Sequence, residues 1–190
     1  MTKQALRKQY KQQRLAISSK EKLKLDDLML LQFQQLYFDE AVHTLLTYWP
    51  MANMNEPNMH LYSSYLRHSI PNLQMAYPVA DFETGNMQAW LINEDTIYTT
   101  NEYGITEPKI GSLIEASAID IVFVPLLVCD EQGYRVGYGK GFYDKYLAKC
   151  KEEAVFIGFS YFEPVYKIED AHQFDVPLNY CITPQQVYEF

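Results

Sequence analysis

"AIDIVFVPLLVCDEQGYRVGYGKGFYDKYL", residues 118–147, carries the pattern that decides the fold. It opens on a near-continuous apolar run over 118–128, which is what a strand covered on both faces needs. "DEQG" turns the chain at 130–133. Gly133, Gly137, Gly139 and Gly141, four of the eight glycines, then fall within nine residues. A packed element would not be so rich in glycine, which costs roughly 0.5–1 kcal/mol relative to alanine inside a helix or strand. "FYDKYLAKCKEE", 142–153, reads as a helix. Buried strand, glycine-rich loop and helix start follow one another directly.

The same alternation extends outward. Thr2 caps a helix over 3–16, and Ser18 with Glu21 has the spacing of a capping box for a helix running to Tyr37. Leu25, Leu28, Gln32 and Leu36 repeat at helical spacing with Leu31 alongside. "VHTLLTYW", 42–49, reads as a buried strand ended by Pro50. Pro57 suits the first turn of a helix reaching Ser69. "QMAYPV" (74–79), "MQAWLI" (87–92) and "AVFIGFS" (154–160) read as strands, and 93–118 as an irregular excursion. The expectation is one domain over 1–190, an α/β three-layer Rossmann-like sandwich whose mainly parallel central sheet is flanked by helices.

Composition narrows the function. The chain of 190 residues is 48% hydrophobic and 15% aromatic, which suits a packed globule. It has no apolar run of transmembrane length and no secretory signal pattern, so a cytoplasmic protein is expected, without membrane contact. Cys129, Cys150 and Cys181 are odd in number and far apart, and read as free thiols rather than a disulfide framework or zinc cluster. The net charge of −8 divides unevenly: residues 1–24 carry +7 and the remainder −15. An acidic body argues against nucleic-acid binding, which needs a broad basic face.

The glycine-rich loop is arranged to meet an anion. Its amides and the first free N–H groups of the following helix converge, and glycines let the backbone come close. It is not a P-loop: Gly133 to Gly139-Lys140 is one residue too long, and Gly141 stands where Ser or Thr would hold magnesium. A mobile turn with solvated cations would look similar. Asp144, just inside the helix, complements the helix dipole, or else meets a divalent cation shared with phosphate. Taken together, Arg135, Lys140 and Asp144 read as a nucleotide-phosphate and Mg²⁺ site. Lys3, Arg7, Lys11 and Arg14 fall on one helical face. Such a stripe is either a solvated face or docking charge for a polyphosphate.

In this order the residues resemble the 5-formyltetrahydrofolate cyclo-ligase family. "DIVFVPLLVCDEQGYRVGYGKGFYDKYL" is similar to the family's hallmark segment, and "KQALRKQYKQQRLAIS" to its opening Lys-x-x-x-Arg helix. "YWPMANMNEP", "QMAYPVA", "EYGITEP" and "FDVPLNYCIT" resemble its remaining pieces in sequence. There are departures. Val136 replaces Leu, and Leu126 replaces the Gly after Pro125, implying a tighter approach of the loop there. Phe174 stands where His often precedes the aspartate, and Asn179 where a second acid is common.

The resemblance implies ATP- and Mg²⁺-dependent closure of 5-formyltetrahydrofolate to 5,10-methenyltetrahydrofolate; a monomer is expected, although the sequence itself carries no signal for the oligomeric state. It implies ATP contacts at Lys3, Arg7, Arg135, Gly137, Gly139, Lys140, Gly141, Phe142 and Tyr143, with Lys140 nearest the transferred phosphate and Arg135 assisting. Met51, Glu56, Tyr138, Gly139, Lys140, Gly141 and Phe142 would line the folate site, and Asp144 and Asp175 would hold Mg²⁺. Read from the residues alone, the plainer alternatives are an N-cap acid before Pro57 for Glu56 and a surface-turn acid for Asp175. Tyr48, Trp49, Tyr138 and Tyr143 are core aromatics unless one or two stack on substrate. Two rivals stand beside this: a non-catalytic nucleotide-binding or RNA-stacking module, and a sugar-phosphate isomerase that works without ATP.

Overall fold

A computed structural model describes residues 1–190. Four α-helices, α1 (Lys3–Ala16), α2 (Ser19–Phe33), α3 (Met59–Ser69) and α4 (Phe142–Leu147), accompany twelve strands. The strands are β1 (Thr44–Leu46), β2 (Gln74–Asp81), β3 (Asn86–Leu91), β4 (Tyr98–Thr100), β5 (Thr106–Pro108), β6 (Ser112–Ile114), β7 (Ile121–Val124), β8 (Val128–Cys129), β9 (Arg135–Val136), β10 (Val155–Phe159), β11 (Tyr180–Ile182) and β12 (Val187–Glu189). Eight of them form one sheet in the order β12-β11-β10-β7-β1-β2-β3-β6. Its five middle strands run parallel; β12, β3 and β6 pair antiparallel at the two ends.

The parallel strands explain their own sequences. Leu45, Ile121, Phe123, Ile157 and Phe159 pack on one face with Phe33 of α2 and Met59, Tyr62 and Leu66 of α3. Leu46, Val122, Val124 and Phe156 pack on the other face with Tyr146 and Leu147 of α4. Side chains alternate across a strand, so burial on both faces demands an apolar residue at every position. The layers are therefore helix, sheet and helix, as expected. A third cluster seats α1: Leu6 packs against Val128, Val136 and Ile168 over the β8–β9 hairpin.

Several boundaries differ from the sequence reading. Helix α2 stops at Phe33, because Phe38 folds back to lie 5.9 Å from the Phe33 ring while Tyr37 stays exposed. Leu31, placed on the helix's apolar face, is exposed. Strand β1 keeps only the middle of 42–49. Helix α3 starts at Met59, with Asn58 as its cap, because Asp26 of α2 takes the Asn58 N–H at 3.2 Å and leaves Pro57 outside. The run 118–128 joins the main sheet only at 121–124, and its last residue, Val128, opens β8; Pro125 cannot donate to a ladder, and Leu127 already pairs with Val136 across the hairpin. Helix α4 ends at Leu147, since Lys149, Glu152 and Glu153 offer nothing to hold further turns on the sheet. The 93–118 excursion contains β4 and β5 as a hairpin and β6 as a sheet edge. Strands β11 and β12 lie outside the strands expected from the sequence.

Leu126 does not tighten the loop. Its side chain turns inward, where a Cβ on Gly158 of β10 would lie 2.8 Å from a Leu126 methyl. The missing side chain at 158 makes the space that Leu126 fills.

Candidate functional site

A cleft of about 1150 Å³ opens at the carboxyl ends of the parallel strands. Ligands of open α/β sheets bind at this end of the strands. Lys3, Arg7, Met51, Glu56, Arg135, Gly137, Tyr138, Gly139, Lys140, Gly141, Phe142, Tyr143, Asp144 and Asp175 all border it. Every residue singled out for ATP, folate or metal thus lies on one cavity.

The glycine-rich loop runs from β9 to α4, and α1 crosses it. Arg7 donates from Nε to the Gly137 carbonyl at 2.8 Å. A Cβ on Gly139, whose φ is +88°, would meet the Arg7 guanidinium at 3.2 Å. What comes so close to this backbone is therefore an arginine from the opposite end of the chain. Lys140 is exposed and has neither ion pair nor hydrogen bond within the protein, so its charge is available in the cleft. Helix α4 has only six residues and offers a small dipole. An anion here would depend on loop amides and side-chain cations more than on the helix.

Two ion pairs fix the cleft's carboxylates. Arg135 is buried and donates to Asp144 Oδ1 at 2.9 Å and to the Val176 carbonyl at 2.6 Å. The Val176 N–H also reaches Asp144 Oδ1, at 3.1 Å. Lys3 Nζ meets Asp175 Oδ2 at 2.5 Å, and the His172 N–H reaches the same oxygen at 2.7 Å. Burial works to raise the Asp175 carboxyl, but Lys3 and the His172 N–H outweigh it and hold it below the usual range. Each carboxylate keeps one oxygen without a protein donor, Oδ2 of Asp144 and Oδ1 of Asp175. No cluster of three or more His, Cys, Asp or Glu converges anywhere. Magnesium needs no such cluster; it takes one or two carboxylates with phosphate oxygens and waters. The two free carboxylate oxygens on the cleft wall fit that requirement.

Glu56, 3% exposed, also borders the cleft, beside Tyr138 of the loop. Its Oε2 accepts the Met51 N–H at 2.6 Å, and its Oε1 accepts the Tyr138 hydroxyl. Burial pushes the Glu56 carboxyl up; Tyr138, the Met51 N–H, Arg14 and Lys22 pull against that. Glu56 is thus no helix cap. Phe142 meets Phe82 edge-on at 5.1 Å, and Phe82 stacks on Tyr103 at 4.4 Å, forming an aromatic wall. The Tyr143 hydroxyl is buried without a hydrogen-bond partner.

The basic stripe divides. Lys3 and Arg7 border the cleft as docking charge would, and exposed Lys11 lines it too. Arg14, placed in the same stripe, is 2% exposed and lies beneath the site. It donates to the Met54 carbonyl at 2.9 Å, the Leu126 carbonyl at 3.0 Å and the Tyr138 hydroxyl at 2.5 Å. Helical spacing put it on the right face; nothing in the sequence said that a chain segment would cover it. Glu107 was also missed as a site residue, although "EYGITEP" contains it. It borders the cleft, accepts the Ala80 N–H at 2.7 Å, and is raised by burial. Cys129 and Cys181 are buried free thiols and Cys150 is a partly buried one. No helix is long and apolar enough to cross a membrane.

Comparison with known proteins points the same way. Residues 1–183 match the model of the 5-formyltetrahydrofolate cyclo-ligase family. The 5-formyltetrahydrofolate cyclo-ligase of Mycoplasma pneumoniae is 29% identical over 164 residues, covering 85% of this chain and 86% of that one. That of Haemophilus influenzae is 35% identical over 88 residues, 44% of this chain and 46% of its own. Among solved structures, the 5,10-methenyltetrahydrofolate synthetase of M. pneumoniae superposes with a TM-score of 0.75 at 26% identity, covering 97% and 99% of the two chains. The Aquifex aeolicus synthetase shares the fold, with a TM-score of 0.79 at 22% identity over 100% and 93%.

Proposed function

The chain belongs to the 5-formyltetrahydrofolate cyclo-ligase family and is a ligase of that kind, and from that premise we propose that it closes 5-formyltetrahydrofolate to 5,10-methenyltetrahydrofolate while ATP becomes ADP and phosphate. The observation that carries this reading is one cleft bordered both by an unpaired Lys140 on a glycine-rich loop and by the buried Glu56 carboxylate.

The chemistry asks for such a site. A formyl oxygen on nitrogen is a poor leaving group. In this reading it attacks the γ-phosphorus, the bond from phosphorus to the bridging oxygen breaks, and ADP leaves. N10 then attacks the formyl carbon, the carbon–oxygen bond breaks, and phosphate departs with the former formyl oxygen. N10 gives up its proton, leaving the N5–C–N10 cation. Phosphoryl transfer of this sort depends on positioning and charge stabilisation, and needs no protein nucleophile. Lys140 neutralises charge developing on the transferred group. Arg7 and Lys3 reach the phosphates from α1. Arg135 holds Asp144 in place. Asp144 and Asp175 would hold Mg²⁺, which would lower the repulsion between the phosphates and the oxygen that attacks them. Met51, Glu56, Tyr138 and Phe142 face the folate, with Glu56 accepting from the N–H edge of the pterin.

The test is the near-ultraviolet absorbance of the methenyl product, followed with and without ATP and Mg²⁺. Product forming only with both is expected. Equal product without nucleotide would sink the reading. The enzyme is proposed to act as a cytoplasmic monomer of one domain.

A further inference from the structure

Arg14 is buried beneath a cleft whose surface it does not touch. Two of its bonds go to carbonyls, those of Met54 and Leu126. The third, at 2.5 Å, goes to the Tyr138 hydroxyl oxygen. A guanidinium can only donate, so here the Tyr138 oxygen must accept. The phenol has a single proton, and that proton has one partner left, Oε1 of Glu56. The direction of the relay is therefore forced: Arg14 to Tyr138 to Glu56. Glu56 receives the phenol proton on one oxygen and the Met51 N–H on the other, at 2.6 Å. With both oxygens as acceptors, it faces the cleft as an anion whose remaining lone pairs are directed by its fixed bonds.

We propose that Arg14 is a positioning residue for substrate: by setting the direction of the Tyr138 hydroxyl it holds the Glu56 carboxylate as an oriented acceptor for two adjacent N–H donors, as on the amino-pyrimidinone edge of a pterin. This rests on the reading of Glu56 as folate-facing. Without Arg14 the phenol oxygen loses its charged donor, so the hydroxyl is less firmly held and a weaker donor, and Glu56 loses a nearby positive charge. The charged and titratable groups facing Glu56 are few. Arg14 and Lys22 are cationic. Tyr48, Tyr138, Tyr143 and Tyr161 are all pushed up by burial and stay neutral. Glu56 is then the group that changes charge as pH falls, and it should do so at higher pH once Arg14 is gone.

The test is a double-mutant cycle of Arg14→Met, Tyr138→Phe and their combination, read by calorimetric binding of 5-formyltetrahydrofolate across pH, with MgATP binding as the internal control. Arg14→Met should weaken folate binding by about tenfold or more, as loss of a charge-assisted bond does, and leave ATP within about twofold. The lost affinity should return as pH rises. In the Tyr138→Phe background the Arg14 change should add little, because the relay is already broken. Equal penalties in both backgrounds, or equal losses for folate and ATP, would make Arg14 merely structural and overturn the proposal. Should Arg14→Met not fold, Tyr138→Phe alone decides: it removes only a hydroxyl and must shift the pH profile of folate binding, and an unshifted profile refutes the relay. Glu56→Gln separates the two readings. If it leaves folate binding intact, the folate assignment fails; if it weakens folate binding while the cycle is additive, only the relay fails.

Discussion

The Arg7 guanidinium carbon lies 3.2 Å from where a Cβ on Gly139 would sit, so any side chain there would push the guanidinium aside by a few tenths of an ångström. The positive φ of Gly139 adds a second objection to any side chain, costing roughly 1–2 kcal/mol.

Gly139→Ala should therefore lower stability by about that amount and displace Arg7. The apparent ATP requirement should rise more than that for folate. Gly137→Ala is the control: its Cβ would meet nothing closer than the Pro125 carbonyl at 3.9 Å. Thermal melting and steady-state kinetics on both variants check the pair. If Gly139→Ala melts like the parent and keeps its ATP requirement, the fit between Arg7 and the loop is unimportant.

Lys140 touches no protein partner, so removing it should disturb catalysis and not folding. Lys140→Ala should change stability by less than about 0.5 kcal/mol. Turnover should fall on the order of a hundredfold or more, the scale of losing one donor to developing charge. A large melting loss with near-normal turnover per folded molecule would refute the role.

Asp144 has two partners to lose, the Arg135 guanidinium and a proposed cation. Asp144→Asn keeps an acceptor for Arg135 and Val176, so its stability cost should be modest, about 1–3 kcal/mol. MgATP should bind poorly, extra Mg²⁺ should recover part of the activity, and metal-free ATP should bind no worse than to the parent. Titrations with and without Mg²⁺ distinguish these. Unchanged Mg²⁺ dependence would remove Asp144 from the metal site.

Acid should unfold the protein partly through Asp120. Its carboxylate takes the N–H groups of His43 and Thr44 at 2.7 and 2.9 Å and pairs with Lys151, tying the start of β1 to β7. Burial acts to raise it, but Lys151 and those N–H groups prevail and hold it below the usual range. A depressed folded-state value means the stabilisation is present above about pH 4, the unfolded value, and is lost as pH falls through the folded value. Asp120→Asn should be less stable at pH 7 and lose less between pH 5 and pH 3. Urea midpoints across pH are the measurement, and parallel curves for parent and variant would contradict it.

The sequence made the sheet legible because burial on both faces leaves an unbroken apolar run, as at Ile121–Val124. It misplaced helix ends where the stop comes from tertiary contact: the return of Phe38 onto Phe33, or Asp26 taking the Asn58 N–H. In the cleft, Arg135, Lys140 and Asp144 stand together on one short segment and announced themselves. Arg14 did not, because its partners Met54, Leu126 and Tyr138 lie 40, 112 and 124 residues away. Leu126 looked like an intrusion on the loop until Gly158, on a different strand, proved to be its counterpart.

Helix α1 precedes every other element of the fold, and its cleft partners lie far downstream of it. Arg7 must wait for Gly137, Arg14 for Tyr138, and Lys3 for Asp175, 172 residues downstream. Contacts so distant along the chain form slowly, because the intervening loop must be ordered first. The cleft should therefore be the last part of the molecule to mature. Regained catalysis should trail the partial burial of Trp90 of β3 during refolding, followed in a Trp49→Phe background because Trp49 lines the cleft. Fluorescence and activity returning in one shared phase would show instead that α1 docks along with the sheet.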